Sequence, residues 1–95
     1  MKIAYDSNDI ILIEGAYYTP SFNILKDLLT IQIVTNGAST VTVQSSIDGS
    51  DWFDVPSCSF VTGLTGGLQS YVECQPEVLY RIKSTLLPSK IILLM

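Results

Sequence analysis

Histidine is missing from all 95 residues of the chain. That removes the commonest general base, the commonest transition-metal ligand and any triad built on an imidazole. Basic residues are scarce: Lys2, Lys26, Arg81, Lys83 and Lys90 face nine acidic residues, for a net charge of −4. Phosphate backbones are gripped by clustered Lys and Arg, so nucleic acid is not an expected partner. Cysteine occurs twice, at Cys58 and Cys74, which is too few for a disulfide framework. A bridge across neighbouring strands and a pair of buried thiols both fit, thiols being the commoner outcome in a reducing compartment. The longest apolar runs, Ile10–Ile13 and Ile91–Met95, fall far short of the ~20 residues of a membrane helix, and no membrane partner is expected. Met1-Lys2 leads into a short run broken by Asp6, with no secretory pattern.

What is present is aliphatic. Hydrophobic residues make up 47% of the chain and charged residues 15%, with a mean hydropathy of +0.39. A chain of this length builds one small core and has much surface for its volume. Part of this apolar surface is therefore expected to be covered by a partner, which points to assembly.

The most informative stretch is STVTVQSSIDGSDWFDVP, Ser39 to Pro56. Val41 and Val43 alternate with Thr42 and Gln44, the period of a strand with one buried face. Asp48-Gly49 offers residues that tolerate a positive φ in a turn. Phe53 and Val55 then resume the alternation as the expected core face, and Pro56 is expected to end the strand. Upstream, Leu29, Ile31 and Ile33 alternate with polar neighbours, and Asn36-Gly37 reads as a hairpin turn. Thr30 to Val55 is therefore expected as a three-stranded meander.

The remaining segments are short. Lys2–Tyr5 reads as a strand, Asp6–Asp9 as an Asx-type turn, and Ile10–Ile13 as an aliphatic run continued past a bulge at Glu14-Gly15 by Ala16-Tyr17-Tyr18. Phe22, Leu25 and Leu29 have helical spacing; a short helix capped by Ser21 and an irregular excursion ending in a strand both fit. Ser57–Val61 is a further short strand with Phe60 inward, and Thr62–Leu68 is a glycine-rich loop. Ser70–Gln75 alternates, Pro76-Glu77 turns the chain, and Tyr80 and Ile82 oppose Arg81 and Lys83 on a strand. Lys90–Met95 closes as an aliphatic strand after a turn carrying Pro88. The expected fold is all-β: one small antiparallel β-sandwich, jelly-roll or immunoglobulin-like, of about seven to nine short strands, with residues 1–28 as a less regular N-terminal arm.

Three later stretches carry a resemblance. Ser46, Asp48, Gly49 and Trp52 form a Ser-x-Asp-Gly-x-x-Trp hairpin, followed by Tyr71-Val72-Glu73 and Tyr80-Arg81-Ile82. This combination resembles small β-sandwich structural proteins of tailed bacteriophages, the head-decoration and tail-accessory modules. It covers roughly Thr30 to Lys83. The hairpin is also similar to one in discoidin-like galactose-binding sandwiches, which are much longer. The phage resemblance implies a non-enzymatic virion protein, made in the host cytoplasm. It would assemble with itself and with other virion proteins such as a major capsid protein, and would need no cofactor. The galactose-binding likeness implies the alternative, a carbohydrate-binding module using exposed tryptophan and tyrosine.

Candidate chemistry is thin. Asp48, Asp51 and Asp54 bunch around the hairpin, but a hairpin tip is convex and glycoside hydrolysis wants carboxylates across a cleft. Calcium-loop spacing is also missing, with Ser50 two residues after Asp48 and Ser59 at the twelfth position. Turn formation and blocking of edge pairing are the expected roles. Cys58 and Cys74 lack a base and read as apolar fillers. Gly63, Gly66 and Gly67 lack the Lys-Ser/Thr of a phosphate loop. Trp52 falls opposite Phe53 and Val55, so it either lies over its own hairpin or stacks on a ligand or neighbouring subunit. The candidate contact residues are Tyr17, Tyr18, Phe22, Trp52 and the strand Ile91, Ile92, Leu93 and Leu94, with no catalytic or metal-binding residue expected.

Overall fold

The structure, a computed structural model, describes residues 2–24, 28–73 and 78–95, and their side chains except at 70–73. Ten strands lie among them: β1 (Lys2–Asp6), β2 (Ile11–Ile13), β3 (Ala16–Tyr18), β4 (Phe22–Asn23), β5 (Leu28–Thr35), β6 (Thr40–Ser46), β7 (Phe53–Val61), β8 (Gly67–Glu73), β9 (Leu79–Ser84) and β10 (Pro88–Leu94). They form two antiparallel sheets, ordered β1-β10-β5-β8 and β2-β3-β9-β6-β7, with β4 also on β9. The pairing is nested. The first strand lies beside the last, β3 and β4 beside β9, β5 beside β8 and β6 beside β7. A long hairpin rolled up in this way is a jelly roll, which settles the choice against the immunoglobulin order.

Alternation builds the core between the sheets. Leu29, Ile31 and Ile33 of β5 face it with Ile91 and Leu93 of β10, and the register sets Ile33 beside Ile91 and Ile31 beside Leu93. The other sheet contributes Val41, Val43, Tyr80, Ile82, Phe22 and Cys58, all buried. Each aliphatic side chain removed from water in this way contributes about 1.5–3 kcal/mol.

Several expected connections differ. Asn36-Gly37 does not close a hairpin: β5 and β6 belong to opposite sheets, and the chain crosses between them there. The expected meander thus reduces to the pair β6–β7. The turn signal reported a sharp change of direction correctly; whether the next strand pairs or crosses is decided by which face must be buried. Glu14 (φ 49) and Gly15 (φ 84) make a reversing turn between β2 and β3, where a bulge was expected. Pro56 does not end β7. That strand lies at a sheet edge, where a missing N–H is tolerated, and it passes a large bulge with Ser57 at φ 62.

The expected N-terminal arm is part of the sandwich, since β1 completes one sheet and β2, β3 and β4 the other. Phe22 pairs with Tyr80 in a strand, so the helical option fails at its first residue; Leu25 lies outside the described residues. Asp6–Asp9 is a capped 3-10 turn, with Asn8 N donating to Asp6 Oδ1 and Asp6 N to Asp9 Oδ2. The glycine-rich loop stops at Gly66, and Gly67 already belongs to β8.

One end of the sandwich is closed by hydroxyls. Ser39 Oγ meets Ser84 Oγ at 2.7 Å and Thr85 Oγ1 at 3.1 Å, and it accepts from Leu86 N at 3.3 Å. Thr62 Oγ1 accepts from Ser39 N at 2.9 Å and meets Thr35 Oγ1 at 3.2 Å. These contacts satisfy backbone groups where the ladders run out, at the point where the chain passes between sheets.

Candidate functional site

Strand register decides which side chains share the outer face of the β2-β3-β9-β6-β7 sheet. Val43 pairs with buried Ile82, so their neighbours Gln44 and Arg81, which pair with each other, point away from the core. Lys83 pairs with both Thr42 and Tyr18, and Gln44 also pairs with Asp54. Tyr18, Lys83, Arg81, Thr42, Gln44 and Asp54 therefore line one surface.

At its centre the Arg81 guanidinium carbon lies 4.1 Å from the Tyr18 ring centroid and 4.4 Å from that of Trp52. Both distances are those of cation–π stacking. Arg81 Nε donates to Gln44 Oε1 at 2.8 Å, and Gln44 Nε2 donates to Asp54 Oδ1 at 3.0 Å. Partial burial pushes the Arg81 pKa down from its usual value, opposed by the Tyr18 phenol. Guanidinium nevertheless stays charged at neutral pH.

The three hairpin aspartates do not converge. Asp48 Oδ1 accepts from Ser50 N at 2.8 Å, Asp51 N at 2.9 Å and Ser46 Oγ at 3.0 Å, which is an Asx turn. Those donors, the Asp51 and Ser50 amides foremost, pull its pKa down to about 2. Asp54 is turned onto Gln44. Beside the hairpin lies an open depression of about 320 Å³ between Asp48, Asp51, Ile47, Phe53 and Val78. Among the described residues no group of three His, Cys, Asp or Glu is placed to hold a metal.

The candidate contact residues separate. Trp52 and Tyr18 come together around Arg81, both half-buried. Tyr17 pairs with buried Ser84 and so belongs to the core-side face. Phe22, Ile91 and Leu93 are core residues, and β10 lies inside its sheet between β1 and β5, so this strand is not a contact surface as a whole. Ile92 is half-buried, and Leu94 alone of the four is exposed. Phe53, expected in the core, is 69% exposed. It pairs with Ser45 on the core-side face, but at an end of the sheet where little covers it. The side chain of Tyr71 and all of Cys74 lie outside the described residues, so the Cys58–Cys74 pairing does too; Cys58 itself is buried.

Two features escaped the sequence reading. Gln44 reads in the sequence as a strand residue and Asp54 as one of three hairpin carboxylates, whereas in the structure Asp54 holds Gln44 and Gln44 accepts from Arg81. Ile11, Leu12 and Ile13 were seen as a compact run, yet they form an edge strand exposed at 54%, 58% and 45%. The parity of Arg81 was readable, but its stacking on Tyr18 depends on a β3–β9 pairing across most of the chain. Comparison of the chain with protein-family models, curated proteins and solved structures finds no match in any of the three.

Proposed function

We propose that the chain is a non-enzymatic structural protein of a tailed-phage particle, an auxiliary or decoration module that binds the capsid or tail as an oligomer. The observation that carries this reading is β2, an edge strand with three exposed aliphatic side chains in a row. Natural edges are usually blunted by charge, proline or a bulge. In this chain β7 has Pro56 and the Ser57 bulge, and β1 has Lys2 and Asp6. β2 has none of these devices, as expected of an edge that meets another chain. The Ser46–Trp52 hairpin and the jelly-roll winding, a fold used in viral capsids, support the virion setting by analogy.

The test is assembly. Light scattering of the purified chain should show an oligomer, and the chain should co-sediment with phage particles stripped of their accessory proteins. A monomer that stays in the supernatant would sink this reading.

A second reading is favoured by a different observation. Jelly rolls also build lectin domains, and Trp52 and Tyr18 lie on one outer face around a shared cation. A carbohydrate-binding module would use that face, and its glycan-array signal should vanish in Trp52→Ala.

A further inference from the structure

We infer that the outer face around Arg81 binds an acidic glycan, with the guanidinium taking a sugar carboxylate. This inference rests on the carbohydrate-binding reading and names its ligand class. Arg81 is held by three neighbours, and no carboxylate among the described residues meets it. Its guanidinium carbon lies over the Tyr18 and Trp52 rings, and its Nε donates to Gln44, which Asp54 holds in turn. Among the described residues the two Nη atoms have no hydrogen-bond partner, and theirs is the edge that meets a planar carboxylate in a two-pronged bond.

No carboxylate among the described residues neutralises Arg81; its one electrostatic neighbour is the Tyr18 phenol. Lys83 adds a second positive charge on the same strand face, two residues along and beside Tyr18. The one described carboxylate on this face, Asp54, is turned onto Gln44 and not onto either cation, so a bound anion would find both positive charges available.

The rest of the face selects among anions. Chain net charge is −4, which opposes densely charged polymers such as duplex nucleic acids and polyphosphates. A polymer with one carboxylate per sugar is less strongly repelled. The exposed Thr42 and Ser59 hydroxyls, 3.2 Å apart on this face, offer donors and acceptors to sugar hydroxyls. The rims of Tyr18 and Trp52 offer apolar edges to sugar C–H groups. Such an open face suits a chain lying across it better than a small molecule held in a pocket.

Affinity electrophoresis of the full chain tests the inference. The probes are polygalacturonate and polysialic acid; the controls are methyl-esterified polygalacturonate and polyglutamate. At least one acidic glycan should retard the protein about tenfold more strongly than either control. Arg81→Gln should abolish retardation, Arg81→Lys should weaken it about tenfold through loss of the planar fork, and Lys83→Gln should weaken it less. Urea midpoints of the variants establish that each is folded, and Lys83→Gln, outside the stack, keeps the test valid if Arg81→Gln unfolds. Equal retardation by polyglutamate, or none by either glycan, overturns the inference. Equal retardation by the esterified polymer overturns it as well, while leaving a carbohydrate-binding module in place.

Discussion

Ser39 Oγ lies 2.7 Å from Ser84 Oγ, joining residues 45 apart in sequence where the chain passes from one sheet to the other. The same oxygen also serves Thr85 Oγ1 and Leu86 N. Ser39→Ala would remove these bonds, while Ser84 Oγ keeps its bond to the Leu86 carbonyl and Thr85 Oγ1 keeps Thr40 N. Its expected cost is about 0.5–1.5 kcal/mol in urea unfolding. Thr42→Ala removes only an exposed hydroxyl contact to Ser59 and should stay within about 0.5 kcal/mol.

Gly66 has φ +143, and a Cβ there would stand 2.5 Å from the Ile33 carbonyl oxygen. The loop after β7 packs directly on the backbone of β5 and leaves no room for a methyl group. Gly15, at φ +84, has open space around it. Gly15→Ala should therefore cost only the backbone strain, about 1 kcal/mol, and Gly66→Ala distinctly more. Thermal unfolding of the two variants side by side checks the order.

The limits of sequence reading follow from the same geometry. Period-2 alternation identified β5, β6 and β9 and the inward faces of Val41, Val43, Tyr80 and Ile82, because alternation is a local property of the strand, while β10 was legible only as an aliphatic run. It did not show which strands are neighbours. Asn36-Gly37 looks the same whether the chain folds back in one sheet or crosses to the other. The burial of Ile91 and Leu93 follows from β10 sitting between β1 and β5, a pairing of the two chain ends that no local pattern encodes. Trp52 and Arg81 were each legible as residues of an outer face. Their stacking needed the loop after β6 to fold over β9.

Asp48 makes stability depend on pH. Its folded pKa, about 2, lies below its ordinary value of 3.8. A depressed carboxylate pKa contributes stability that is fully present above the ordinary value and lost as pH falls through the folded one. Stability of the native chain should therefore decline between roughly pH 4 and pH 2. Asp48→Asn keeps an acceptor for the Ser50 and Asp51 amides but cannot titrate. Its unfolding free energy should fall less steeply over that window, and parallel slopes would show that the Asx turn is not the source.

Replacing Ile13 by Lys puts a charge on an exposed edge position. The side chain is 45% exposed and points to the outer face beside Ala16, so folding stability should change by less than about 0.5 kcal/mol. Association through the β2 edge should be lost, because a charge on a free strand is what blocks pairing with another chain. Sedimentation velocity distinguishes the cases. If the chain forms the proposed oligomer, a variant that keeps it places the contact elsewhere.

Phe53 and Ile33 both lie on core-side faces by register, yet they should respond oppositely to truncation. Ile33 is fully buried and pairs with Ile91 in the centre of its sheet. Ile33→Ala leaves a cavity in close-packed surroundings and should cost about 2–5 kcal/mol. Phe53 is 69% exposed beside Ile47, which is 88% exposed, at an open end of the sandwich. Phe53→Ala should cost less than about 1 kcal/mol in the isolated chain, because little of the ring leaves water on folding. In the proposed assembly the same substitution reads differently if this end is covered by a neighbour: the chain would keep its urea midpoint but dissociate at lower salt or at higher dilution. Equal losses of stability for the two variants would mean that the ring is covered within its own chain, and that face parity alone had located the core correctly.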